Sequence, residues 1–122
     1  MDAIINRKII GNDGEKATAT LLQKEGFIID HLNYRKFYGE IDIIAHKKGI
    51  VVFVEVKTRK KNYFDASLLV PPSKQRKIIL VAKEYIAKHH LYDMIFRFDV
   101  SLVTPDGDHH TICYIPNAFM GE

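Results

Sequence analysis

One stretch of the sequence is apolar enough for the centre of a β-sheet and yet contains two opposite charges. It runs from Ile50 to Thr58 (IVVFVEVKT) and is rich in β-branched residues on both faces. Glu55 and Lys57 are two positions apart, so both point to the same side of the strand. Charges in an apolar strand are unfavourable unless they are paired, hydrated or bound to a metal. The stretch therefore indicates either a surface ion pair at a strand end or a polar site on a central strand.

A second carboxylate lies shortly before this strand, on a segment that alternates in part. The segment Glu40 to Ala45 (EIDIIA) predicts a strand, and the polar residues 46–49 predict the turn that joins it to the next one. Simple alternation places Glu40, Asp42 and Ile44 on one face and Ile41, Ile43 and Ala45 on the other. The two strands are therefore expected to form a hairpin.

The register of this hairpin decides whether the two carboxylates share a site. With the two residues after Lys47 as the loop, Lys47 faces Ile50, and Asp42 faces Glu55 with Cβ atoms about 5 Å apart. A slip of one residue would turn Asp42 to the other face. Two ionised carboxylates at about 5 Å repel by about 3 kcal/mol at an effective dielectric constant of about 20. A proton or a cation between them relieves the repulsion, and all-oxygen ligation suits Mg²⁺ or Mn²⁺.

Helical and alternating segments mix along the chain and predict an α/β fold, a central mixed sheet flanked by helices in the order α-β-β-β-α-β-β. The predicted helices are Ile5 to Glu25 and Lys74 to His89, the second with Ser73 as its N-cap. The predicted strands are Phe27 to Tyr34, Glu40 to Ala45, Ile50 to Thr58, Phe96 to Val103 and Thr111 to Ile115, with a turn at 105–108. Gly11 and Gly14 each disfavour a helix by about 1 kcal/mol, so the first helix is interrupted there or the glycines allow a close approach.

The composition is that of one ordinary globular domain. The chain has 122 residues, of which 47% are hydrophobic and 27% charged, and it contains no repeats or linker-like stretches. We therefore expect a single domain over residues 1–122. No apolar run approaches the roughly 18 residues of a spanning helix, and the N-terminus does not resemble a signal peptide. The single cysteine, Cys113, cannot form an internal disulfide, so we expect a cytoplasmic protein without a membrane segment.

Positive charge is concentrated in two runs. The net charge is only +3, but 7 of the 18 Lys and Arg residues lie at Lys57, Arg59, Lys60 and Lys61 and at Lys74, Arg76 and Lys77. A clustered basic surface favours a polyanionic partner such as nucleic acid. The alternative is a solvated loop followed by an ordinary helix start, and charge alone does not separate the two.

The order of these residues resembles a known group of nucleases. Asp42 followed by Glu55-Val56-Lys57 after a hairpin is similar to the PD-(D/E)XK superfamily, which has the restriction-endonuclease-like fold. More closely, the chain resembles the YraN-like family, which is similar to archaeal-type Holliday junction resolvases. The resemblance rests on Gly14-Glu15 with Ala17, Asn33 with Arg35, Gly39 to Asp42, Phe53 to Arg59, Lys74, Ala82 with Tyr85, Phe98-Asp99-Val100 and Asn117-Ala118-Phe119. It therefore covers nearly the whole chain.

What the resemblance implies is metal-dependent hydrolysis of phosphodiester bonds in structured or branched DNA. Asp42, Glu55 and the backbone carbonyl of Val56 would hold Mg²⁺ or Mn²⁺. Lys57 would be the catalytic lysine, and Glu15 would join the site from the first helix. DNA is expected as the partner more than RNA.

Residues around this set are expected to contact nucleic acid or to support the ligands. The candidate nucleic-acid contacts are Arg59, Lys60, Lys74 and Lys77. Glu40 either supports the ligands or forms a structural pair with Arg35 or Arg59.

These assignments leave two further functions open. One is a nucleic-acid-binding module with the same fold and no turnover. The other is a scaffold in which Glu55 and Lys57 form a structural pair. A resolvase would act on a two-fold symmetric junction and would need a homodimer.

Overall fold

Six strands and two helices make up the regular structure of residues 5–10, 14–59 and 70–120, the part of the chain that this computed structural model describes. The strands are β1 (Ile5–Ile10), β2 (Ile28–Lys36), β3 (Gly39–Lys47), β4 (Ile50–Thr58), β5 (Ile95–Asp106) and β6 (His109–Phe119). The helices are α1 (Gly14–Lys24) and α2 (Pro72–His89). The predicted mixture of helices and strands is therefore confirmed.

The strands form one mixed sheet with β4 in its interior. Their spatial order is β1-β6-β5-β4-β3-β2. The pair β4–β5 is parallel and every other adjacent pair is antiparallel. Parallel neighbours need a crossover connection, and α2 lies in the connection between β4 and β5. The strand that carries Glu55 and Lys57 is thus an interior strand, as its apolar sequence predicts: β5 pairs with it from Ile50 to Thr58, and β3 pairs with it as far as Val54.

One helix covers each face of the sheet. On one face, Phe53 packs with Val81 and Tyr85 of α2. On the other, Val52 and Val54 pack in the cluster that contains the apolar side chains Ala17, Leu21 and Leu22 of α1. Alternate residues of β4 therefore enter different cores, which is why the strand is apolar on both faces. Within the described ranges, no helix is both long and apolar enough to cross a bilayer.

The N-terminal prediction is wrong. Residues predicted to begin a helix at Ile5 instead form β1, which pairs antiparallel with β6 from Ile5 opposite Tyr114 to Ile10 opposite His109. The helix begins only at Gly14. The order is therefore β-α-β-β-β-α-β-β. A local pattern cannot reveal this strand, because its pairing partner lies about a hundred residues later in the sequence.

Two local details also differ from prediction. The N-cap of α2 is Pro71, without a side-chain cap bond, and not Ser73. The proline at the first helical position already has the φ angle that a helix needs. In the last hairpin, β5 continues through Pro105 and Asp106, so the turn is shorter than the predicted turn at 105–108. Gly107 supplies the left-handed conformation there, with φ of 63°.

Candidate metal and nucleic-acid site

The β3–β4 hairpin has the register that its loop length predicts. Lys47 lies opposite Ile50, and the ladder runs to Ile43 opposite Val54. Beyond that pair, the backbone N–H of Val56 donates a hydrogen bond of 2.8 Å to Oδ2 of Asp42. The carboxylate of Asp42 is thereby fixed at the open end of the hairpin.

The alternation of β3 breaks next to this carboxylate. Ile41 packs in the α2-side core, whereas Ile43 and Ala45 pack in the α1-side core. The prediction that all three share one face is therefore wrong. The backbone pairing of β3 with β4 ends at Ile43. At Ile41, β4 therefore no longer holds the backbone of β3 in regular alternation.

Asp42 and Glu55 form an acidic pair whose charges repel each other. Burial and the charge of Glu55 raise the pKa of Asp42 from 3.8 to about 7, although the hydrogen bond from Val56 opposes the shift. Glu55 is only 5% exposed. A proton shared near neutral pH or a bound cation would each relieve the repulsion between the two groups.

Glu15 lies beside this pair, as the resemblance implies. Its charge contributes to the raised pKa of Asp42, and its Oε1 accepts a hydrogen bond of 2.9 Å from Nδ2 of Asn33. The approach of α1 depends on Gly14, where a Cβ atom would lie 2.7 Å from Oγ1 of Thr58. The missing side chain therefore lets the start of the helix touch the end of β4.

Two lysines approach the same oxygen of Glu55 in different settings. Nζ of Lys57 is 4.0 Å from Oε2, and its side chain is 14% exposed. Burial and the charge of Lys74 lower the pKa of Lys57. Nζ of Lys74 is 2.5 Å from that oxygen, and its side chain is 47% exposed. Burial lowers the pKa of Lys74, but the hydrogen bond and charge of Glu55 outweigh it and the pKa is raised.

The acidic pair opens into a cavity of about 590 Å³ between the β2–β3 turn and the start of α2. The predicted residues among its walls are Arg35, Glu40, Asp42, Glu55, Lys74 and Lys77. Nε of Arg35 donates a hydrogen bond of 3.0 Å to Oε1 of Glu40, so Glu40 pairs with Arg35 at the wall of the cavity. The cavity therefore gathers most of the predicted residues.

Sequence reasoning missed the contribution of the β2–β3 turn. Lys36 and the fully exposed Phe37 line the cavity together with Tyr38 and Ser73. A signal was available, since a basic and an aromatic residue stand together just before a turn glycine. A Cβ atom on Gly39 would lie 3.2 Å from Cγ2 of Val81, so this glycine allows α2 to pack closely on the turn.

Arg59, one of the predicted nucleic-acid contacts, lies away from the cavity. Arg59 is exposed at the end of β4, where its Nη1 donates to the backbone carbonyl of Thr58, and it does not line the cavity. Lys60 lies outside the described residues. Of the second basic run, Lys74 and Lys77 line the cavity.

The residues present fit a hard divalent cation in part. Among residues 5–10, 14–59 and 70–120, no three His, Cys, Asp or Glu side chains cluster in a way that could hold a metal. The carboxylates of Asp42 and Glu55 do lie together, and the backbone N–H of Val56 donates a hydrogen bond to Asp42. Mg²⁺ commonly takes one or two carboxylates and keeps several waters, so this oxygen set suits it. Lys74 would have to leave Glu55 to make room.

Comparison with known proteins agrees on one family. Residues 14–103 match the uncharacterised protein family UPF0102. A UPF0102 protein of Alkaliphilus metalliredigens is 43% identical over 113 residues, covering 92% of this chain and 98% of its own length. A UPF0102 protein of Pelobacter propionicus is 41% identical over 113 residues, covering 89% of this chain and 81% of its own length. One from Dictyoglomus turgidum is 40% identical over 118 residues. The chain therefore belongs to the UPF0102 family, which confirms the YraN-like resemblance.

Proposed function

We propose that the protein is a nuclease of the restriction-endonuclease-like, PD-(D/E)XK type that uses Mg²⁺ or Mn²⁺ to hydrolyse phosphodiester bonds in structured or branched DNA. The observation that carries the proposal is the meeting of Asp42 and Glu55 beside Lys57 at the edge of a basic cavity. A protein that only bound nucleic acid would gain nothing from two carboxylates next to phosphates.

The roles follow from the setting of each residue. Asp42, Glu55 and the carbonyl of Val56 would hold the cation, which supplies a bound water of lowered pKa and a positive charge for the phosphate. Lys57 lies on the same strand face and is nearly buried, so its ammonium has a fixed position from which to neutralise charge on the phosphate. Glu15 adds a further acceptor at the start of α1.

The walls of the cavity suit a phosphate backbone. Arg35, Lys36, Lys74 and Lys77 line it. The first turn of α2 faces the same space, contains no acidic residue and has no side-chain cap, so its free N–H groups favour an anion.

A cleavage assay tests the proposal. Purified protein with Mn²⁺ is incubated with duplex, single-stranded, flap and four-way-junction DNA, alongside Asp42→Asn and Glu55→Gln. The matched control is Asp106→Asn, an exposed carboxylate that pairs only with Lys8 among the described residues. We expect wild type and the control to cleave and both site variants to be inactive.

The alternative is the binding module without turnover. It would be favoured if no substrate were cleaved while salt-dependent binding survived Asp42→Ala. Absence of both cleavage and binding at low salt would leave the scaffold function.

In the nuclease proposal, two copies of the protein bind one four-way junction, because the junction has two-fold symmetry. Sedimentation of the protein with and without junction DNA measures the number of copies bound.

A further inference from the structure

We infer that Lys74 is a gate on the cation site, which nucleic acid opens by drawing this lysine away from Glu55. The inference rests on the proposed function and deepens it, because it concerns how the same site is regulated. Its basis is the unequal placement of the two lysines that approach Oε2 of Glu55.

Lys74 and a divalent cation compete for one oxygen. Nζ of Lys74 lies 2.5 Å from Oε2 of Glu55. A cation bound to this oxygen at about 2.1 Å would sit close to the ammonium, and two positive charges at that separation repel strongly. Occupancy by one therefore weakens occupancy by the other. Nζ of Lys57, at 4.0 Å, leaves more room.

Lys74 is the more exposed of the two lysines. Its side chain is 47% exposed and starts from the first turn of α2, at the wall of the cavity, whereas the side chain of Lys57 is 14% exposed. A phosphate entering the cavity offers Lys74 a second anionic partner. When Lys74 turns to the phosphate, Glu55 is released for the cation, so DNA and cation bind with positive cooperativity.

The test measures Mn²⁺ affinity by calorimetry, without any reaction. It compares wild type, Lys74→Met, Lys88→Met and the double variant Asp42→Asn with Glu55→Gln. Lys88 is an exposed lysine in the last turn of the same helix, so its replacement removes an equal charge away from the site. We expect Lys74→Met to bind Mn²⁺ about tenfold more tightly than wild type, within the usual range of coupling between sites. We expect Lys88→Met to match wild type and the double variant not to bind.

A second titration adds a phosphorothioate duplex that resists hydrolysis. We expect the duplex to tighten Mn²⁺ binding to wild type and to change Lys74→Met much less. Measurable binding that is equal or weaker in Lys74→Met would overturn the gate and leave the nuclease proposal intact. Absence of Mn²⁺ binding in every protein, with and without duplex, would overturn the cation site itself and the gate with it.

Discussion

The backbone N–H of Val56 donates a hydrogen bond to Oδ2 of Asp42 at the point where the ladder between β3 and β4 has ended. A side chain thus replaces the carbonyl that the next ladder bond would have used. The contact holds Asp42 against Glu55 although the two ionised groups repel each other.

The acidic pair should make stability depend on pH. The pKa of Asp42 is about 7 in the folded chain, above its ordinary 3.8, because of burial and the charge of Glu55. Between these values the native state binds more protons than the unfolded state, so the free energy of unfolding falls as pH rises. Urea unfolding in chelator should show wild type losing about 2 kcal/mol relative to Asp42→Asn between pH 5 and pH 8. Parallel pH profiles would contradict the raised pKa.

Lys57 should matter for turnover more than for folding. Lys57→Met keeps the approximate length of the side chain and removes its ammonium group. Burial already lowers the pKa of this group. We expect cleavage to fall by about 10²- to 10³-fold while DNA affinity changes little. Lys88→Met is the matched control in cleavage, filter-binding and thermal-melting measurements. A large loss of melting temperature with unchanged affinity would instead indicate a structural ion pair.

Asp99, which does not line the cavity of the candidate site, should contribute strongly to the stability of the fold. This fully buried carboxylate of β5 accepts hydrogen bonds from the guanidinium of Arg97, the hydroxyl of Tyr114 and the backbone N–H of Asn117. Asp99→Ala leaves these donors without their acceptor, so we expect a loss of about 3–5 kcal/mol in urea unfolding. The exposed Asp106→Ala should lose at most about 1 kcal/mol. Similar losses in both variants would show that the network adds little.

The contact of Gly14 with Thr58 should appear as coupling in a double-mutant cycle. A Cβ atom on residue 14 would lie 2.7 Å from Oγ1 of Thr58, so Gly14→Ala forces a shift. We expect this substitution to destabilise the wild-type protein by about 1 kcal/mol. In a Thr58→Ala background it should be neutral or stabilising, because the clash is gone and alanine favours a helix. Additive effects of the two substitutions would rule out the contact.

Local sequence signals were sufficient for the hairpin that carries the site. The two-residue loop after Lys47 fixes the register of β3 and β4, and the apolar run of β4 identifies an interior strand. The meeting of Asp42 with Glu55 follows from these two facts. Helix α2 was also predictable, since its buried face repeats at helical spacing.

Features that depend on distant partners could not be predicted. Strand β1 forms by pairing with the edge of β6, and nothing within residues 5–10 identifies that pairing partner. The ion pair of Lys74 with Glu55 depends on how α2 lies across the sheet, which the close contact at Gly39 helps to set. The cavity walls at Lys36 and Ser73 depend on the same packing. Sequence spacing predicts the residues of the site, including Lys74, but not the ion pair of Lys74 with Glu55.

The interior position of β4 has a consequence for how long the site keeps its shape. Val54 has Ile43 on one side and Asp99 on the other, and its side chain is buried. Amide protons in such a strand exchange with solvent only when the whole domain opens, whereas the ends of a helix open far more often. The part of β4 that leads up to Glu55 is therefore expected to keep its structure for longer than the ends of the helices. We expect rearrangements on shorter timescales at the first turn of α2 and the β2–β3 turn, which line the cavity.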